Sequence, residues 1–264
     1  MKSIIALTDF SFENEAANLF AGWLSKHLGA QLQLLHVYSL PVIMNDMLIP
    51  IVPYEELQKN AENNIQKIKS DLETRYAGIQ ISTEVKIGDL VDETNILAKS
   101  IDPFMIVLGN RGPKDDSIFG STLMSVIRHT TTPVLAIPEG YSNFNISKIV
   151  LASDLSGTTQ SAQKIIDVVK GLNTELHVVH VYSKNAETIN ENEILEQLQA
   201  VKPVFHAVQD TDIAHGLQRY INEINADLLL LLPHEHNLVE RFFFKLHTNE
   251  LVHKSTIPVL SIHE

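Results

Sequence analysis

The sequence predicts an α/β protein made of two tandem domains, each a parallel sheet with helices on both faces. Three observations carry that prediction. Short apolar runs alternate with stretches of helical periodicity along the whole chain. Blocks of the first half recur in the second, in the same order and at nearly the same spacing. The central runs Phe104–Leu108 and Leu228–Leu232 contain no polar residue, the pattern of a strand buried on both faces.

Each element has its own justification. Residues 3–8 are short and apolar, a strand. Asp9 to Glu15 is polar and suits a helix start. Phe12, Ala16, Leu19, Phe20, Trp23, Leu24 and Leu28 then recur every three or four positions, one apolar helix face, and Gly29 ends it. Gln31–Tyr38 is the second strand. Leu40–Pro53 is an apolar, proline-punctuated connection: a lid, a partner surface or a cover for the sheet. Helix resumes over Tyr54–Tyr76. Ile79, Ile81, Val85 and Ile87 alternate loosely as a third strand, and Gly88-Asp89 turns the chain. Val91–Ser100 is a short helix, Phe104–Leu108 a central strand, Ser121–His129 a helix and Val134–Ile137 a last strand. The second half repeats the plan with strands at 149–153, 175–182, 203–208, 228–232 and 258–262. Its helices fall at 159–171, 191–200, 212–225 and 246–254. Glu139–Asn145, with Gly140, Ser142 and two asparagines, reads as the linker between domains 1–139 and 147–264.

The duplication is explicit. Ile4-Ile5-Ala6-Leu7-Thr8-Asp9-Phe10-Ser11 returns as Ile149-Val150-Leu151-Ala152-Ser153-Asp154-Leu155-Ser156, and Leu34-Leu35-His36-Val37-Tyr38 as Val178-Val179-His180-Val181-Tyr182. One stretch breaks the parallel. The first half has Leu108-Gly109-Asn110-Arg111-Gly112 and then Gly120-Ser121-Thr122. The second has Leu232-Pro233-His234-Glu235-His236 and then Lys245-Leu246-His247.

Composition narrows the function. A chain of 264 residues, 44% of them hydrophobic, is long enough for two cores. With no cysteine, disulfides, thiolate catalysis and cysteine-bound metals are excluded, which fits a cytoplasmic location. One lysine followed by the short apolar run Ile4–Leu7 is too little for a signal-peptide core. No apolar run approaches the roughly 20 residues of a membrane span. A net charge of -12 without a basic stripe argues against nucleic acid and anionic membranes as partners.

The strand ending Thr8-Asp9-Phe10-Ser11, the strand ending His36-Val37, Gly109-x-x-Gly112, the Gly120-Ser121-Thr122 helix start and the Pro133-Val134-Leu135 strand together resemble the universal stress protein family in tandem form. The resemblance covers essentially the whole chain. It implies a five-stranded parallel sheet of order 3-2-1-4-5 in each domain, akin to the adenine-nucleotide α/β hydrolase fold, with the two domains related by a pseudo-twofold. It also implies ATP at the strand ends of many members. Matching positions place Asp9 and Val37 near adenine and ribose, and Leu108, Gly109, Arg111 and Gly112 near ribose and phosphates, with Gly120, Ser121 and Thr122 at the phosphates.

Independent physics supports those positions. In that strand order the crevice lies between strands 1 and 4, outside their carboxyl ends. Gly109 and Gly112 can take positive φ and let backbone N–H groups approach an anion. Gly120-Ser121-Thr122 opens a helix, whose first N–H groups favour phosphate. The span from Pro113 to Phe119 is shorter than in nucleotide-binding members and carries Asp115 and Asp116, which would repel a polyphosphate unless they point to solvent or are bridged by Mg²⁺ or Mn²⁺. ATP, AMP and no ligand all stay open. The second half, with Pro233 lacking an N–H, is expected to bind none.

Plainer alternatives stand beside these. Asp9 and Asp154 also suit helix N-caps. His234, His236 and His247 read as surface histidines rather than a zinc site, because His-Glu-His does not put two imidazoles on one helix face. His36 and His180 sit at strand ends and are expected to satisfy backbone groups. Phe242-Phe243-Phe244 reads as core or inter-domain packing. Strand 3 of the first half carries Ser82, Thr83, Glu84 and Lys86, and Pro203 stands in its counterpart, so both edges are protected. Val134–Ile137 and Val259–Ile262 are not protected. They are expected to pair with each other and fuse the two sheets.

The function expected from all this is an adenine-nucleotide-responsive binding or signalling protein, with a site in the first domain only. The partner protein is unidentified and a homodimer is left open. No catalytic base, nucleophile or metal triad is visible, so turnover would amount at most to slow ATP hydrolysis. The alternative is a nucleotide-free interaction scaffold with both sites vestigial.

Overall fold

Every residue of β1 (Ser3–Leu7) is buried, because helices cover both faces of the sheet it belongs to. The computed structural model describes residues 2–39, 54–110, 119–155, 161–183, 191–232 and 256–262. In the first half β1 is followed by a 3₁₀ turn (Phe12–Asn14), α1 (Glu15–Leu28), β2 (Gln31–Tyr38), α2 (Tyr54–Arg75) and β3 (Ile81–Ile87). Then come α3 (Leu90–Ile101), β4 (Met105–Asn110), α4 (Phe119–His129) and β5 (Val134–Pro138). The second half holds β6 (Lys148–Ala152), α5 (Ala162–Leu172), β7 (Glu175–Tyr182), α6 (Asn192–Gln197), β8 (Val204–Gln209), α7 (Ile213–Ile224), β9 (Leu228–Leu231) and β10 (Val259–Ser261). The helix expected over 191–200 is shorter, α6 giving way to a 3₁₀ turn at Gln199–Val201. The expected helix over 246–254 and Phe242–Phe244 lie outside the described residues.

The strands form one ten-stranded sheet of order β3-β2-β1-β4-β5-β10-β9-β6-β7-β8. Each half has the expected order 3-2-1-4-5, parallel throughout. Among the described residues the one antiparallel pairing joins the halves: Val259 faces Ala136, Leu260 faces Leu135 and Ser261 faces Val134. The two unprotected fifth strands therefore do pair. The edges left over are β3, with Glu84 and Lys86 in contact at 2.8 Å, and β8, which starts directly after Pro203.

Strand alternation sorts the core into two layers. Ile4, Ala6, Leu34, Val107 and Leu135 share one layer with α1 and α2, and it continues into Leu151, Val178 and Leu260 with α5. Ile5, Leu7, Ile106, Leu108 and Ala136 share the other with α4, continuing into Val150, Leu229 and Val259 with α7. Each layer crosses the join without interruption.

The linker is packed. Tyr141 and Phe144 both sit 5.9 Å from the Phe20 ring, and Phe144 stacks at 6.4 Å on Trp23. Asp227 accepts hydrogen bonds from the Ser147 and Lys148 N–H groups at 2.8 and 3.0 Å and from the Ser147 hydroxyl at 2.7 Å. At the other end, Glu139 N–H donates to Asn110 O at 3.1 Å, tying the linker to the end of β4.

Leu260 is fully buried opposite Leu135. Leu260→Ala is expected to lower the unfolding free energy by about 2–5 kcal/mol. Urea unfolding followed by the fluorescence of Trp23, which lies in the other half, is expected to show the loss, since the core is shared.

Candidate functional site

A crevice opens where β1 and β4 part. Their pairing ends at Ala6 and Val107, whereas β1 stays paired with β2 as far as Leu7 and β4 with β5 as far as Asn110. This is the switch point of the strand order, where ligands of open α/β sheets bind. A side chain crosses the opening. Asn14, only 5% exposed, donates from Nδ2 to Leu7 O at 3.0 Å and accepts at Oδ1 from Gly109 N–H at 2.9 Å.

That contact explains Gly109. A Cβ there would lie 2.5 Å from Asn14 Oδ1 and 3.3 Å from Asn14 Cα. The residue is glycine because another residue packs against its backbone. It keeps the conformation of β4 and does not adopt the positive φ expected of it. Its N–H is directed to Asn14. Asn14 carries no local sequence signal, since the contact spans 95 positions.

Asp9 lies at the β1 end of the crevice, exposed. Its Oδ1 accepts from Ser11 N–H at 3.0 Å and from the Ser11 hydroxyl at 2.5 Å. It is not the N-cap of α1: a 3₁₀ turn intervenes, and Asn14 holds the cap position without a side-chain cap bond. Between Thr8 and Ser11 the chain makes a tight turn with Phe10 at φ 63°, in the left-handed region that a side chain rarely adopts. Thr8 Oγ1 accepts from Phe10 N–H at 3.3 Å, and the Phe10 ring lies 4.0 Å from that of His36. His36 Nδ1 sits 2.7 Å from Thr8 O, so Nδ1 carries the hydrogen and donates to it. Burial holds the His36 pKa below its ordinary value, against the pull of the Thr8 carbonyl and of Asp9.

The second half repeats this frame. Leu155 has φ 69°, its N–H donates to Ser153 Oγ at 3.0 Å, and His180 Nδ1 donates to Ser153 O at 2.9 Å. Both histidines thus satisfy backbone carbonyls, as expected. The N-cap of α5 is Ser161, which corrects the expectation that Asp154 caps that helix.

The other candidate positions fall as follows. Val37 and Leu108 belong to the same core layer, Leu108 buried and Val37 packed at its margin. Arg111 and Gly112 lie outside the described residues, as do Pro233, His234, His236, Lys245 and His247. Gly120, Ser121 and Thr122 fall in the first turn of α4, which begins two residues earlier than expected. N–H groups of a first helical turn have no partner within the helix. Among the described residues no group of three His, Asp or Glu side chains is arranged to hold a metal ion, and no helix is long and apolar enough to cross a membrane.

Comparison with known proteins adds the following. The model for the "Universal stress protein family" matches residues 1–138 and again residues 145–263. Universal stress protein Slr1230 of Synechocystis is 27% identical over 99% of both chains. Universal stress protein G of Salmonella typhimurium is 32% identical over 84 residues, 31% of this chain and 58% of that one. The crystal structure of a universal stress protein from Archaeoglobus fulgidus shares the fold, with a TM-score of 0.74 at 20% identity over 99% of this chain and 98% of that one.

Two outcomes are expected. Gly109→Ala should cost about 1–3 kcal/mol of stability by overpacking against Asn14, read as a lower urea midpoint with an unchanged slope. The second concerns pH. Because the folded-state pKa of His36 lies below its ordinary 6.5, the unfolded chain binds the proton more tightly. Stability is therefore complete above about pH 6.5 and declines as the pH falls through the lowered value. Unfolding titrations from pH 7.5 to 5.5 are expected to show the decline, and His36→Gln to reduce it, the remainder coming from His177, whose pKa burial likewise lowers.

Proposed function

We propose, from the premise that the chain belongs to the universal stress protein family, that it is an adenine-nucleotide-responsive binding protein of stress signalling with its nucleotide site in the first half alone. The observation that carries this is an asymmetry on a common frame. Both halves keep the left-handed turn and the histidine at the end of their first strand. Only the first half follows its fourth strand with Gly109, Gly112 and a Gly120-Ser121-Thr122 helix start. The second has Pro233 and His236, and then Lys245-Leu246-His247.

The crevice between β1 and β4 suits a planar base and a ribose beside Asp9, Val37 and Leu108. The first turn of α4 suits a phosphate. Gly109 N–H is engaged with Asn14, so anion contacts come from Arg111, Gly112 and α4, with Mg²⁺ or Mn²⁺ offsetting Asp115 and Asp116. Binding acts as a switch rather than as a step in turnover. Ligand at 100 times its Kd stabilises the bound form by about 2.7 kcal/mol. The protein is assigned to the cytoplasm.

Thermal-shift titration with ATP and AMP, with and without Mg²⁺, tests the proposal. The expected result is a rise in Tm of several degrees at saturation and one nucleotide per chain by calorimetry. Arg111→Ala should weaken binding at least tenfold and Gly112→Val should abolish it. No shift at millimolar nucleotide would instead favour a nucleotide-free scaffold.

A further inference from the structure

We propose that Asn14 is a positioning residue of this site, a side-chain clip that sets the width of the crevice; the inference rests on the nucleotide reading above. A carboxamide offers one donor face and one acceptor face, as a peptide unit does. Asn14 uses both, Nδ2 to Leu7 O and Oδ1 from Gly109 N–H, just past the last paired residues of β1 and β4. It therefore supplies the rung that the diverging strands no longer make between themselves. Burial strengthens both bonds and makes their loss costly.

Three further facts point the same way. Gly109 must be glycine for the clip to close, since any Cβ would meet Asn14 Oδ1. One helical turn on, buried Asn18 donates to Thr8 Oγ1 at 3.3 Å, so the same face of α1 also supports the turn that carries Asp9. Finally, the sequence of the other half puts Pro233 where the first has Gly109, and a proline has no N–H to give such a clip.

The clip fixes the distance between the Asp9 turn and the start of the loop after β4, and so the fit of a nucleotide spanning them. Calorimetric titration of the full chain with ATP and AMP at pH 8 tests this, using wild type, Asn14→Ala and the isosteric Asn14→Asp. Asn14→Ala is expected to weaken binding at least tenfold and to speed hydrogen exchange at the Gly109 amide. Asn14→Asp keeps the acceptor but loses the donor to Leu7 O when ionised. Its affinity should fall at pH 8 and recover toward that of wild type as the pH is lowered and the carboxyl, whose pKa burial beside the Leu7 carbonyl raises, takes up its proton and donates again. Ligand-free urea unfolding of each variant is the control: a merely structural lesion lowers binding only as far as the folded fraction falls, whereas loss of the clip weakens binding by fully folded protein. Either variant binding as tightly as wild type at pH 8, while wild type binds, overturns the clip alone. Wild type binding neither nucleotide overturns the nucleotide reading, and the clip's role in it falls too.

Discussion

The antiparallel contact between β5 and β10 is the constraint on which everything else depends. Three residue pairs, Val134–Ser261, Leu135–Leu260 and Ala136–Val259, convert two five-stranded sheets into one. Both core layers then run through the join, so α1, α2 and α5 cover one continuous surface and α4 and α7 the other. The packed linker reinforces the join, with Phe144 lying against Phe20 and Trp23. The crevice is fixed relative to the join as well, since β4 lies between β1 and β5 and is paired with both.

On that shared platform the two halves have diverged selectively. A left-handed side-chain residue costs of order 1–3 kcal/mol, yet Phe10 and Leu155 both adopt it. The turn is thus part of how the first strand hands over to its helix in either half, with or without a ligand. The halves differ in sequence after the fourth strand, where the first has Gly109, Gly112 and Gly120 and the second has Pro233, His236 and Lys245.

Much of this was legible in the sequence, for identifiable reasons. Strands buried on both faces give unbroken apolar runs, so β4 and β9 stood out. The fifth strands had no charge or proline to guard them, and a buried sheet edge needs a partner, so their pairing could be expected. Gly109 was legible as special but for the wrong cause. Its glycine answers to close approach by Asn14, a contact across 95 positions that no local pattern encodes. Of the two readings of Asp9, the helix cap falls because the 3₁₀ turn at Phe12–Asn14 delays the start of α1. The linker was legible from its glycine, serine and asparagines, but not that Asp227, 80 positions away from Ser147, collects its far end.

Spending both fifth strands on each other also decides how far the sheet can grow. The margins that remain are β3, with its Glu84–Lys86 pair, and β8, entered through a proline. A third lobe approaching β3 edge-on would meet its charged pair, and one approaching β8 would first meet the proline ahead of it. Among the described strands the duplication thus closes on itself: two copies satisfy each other's sticky side.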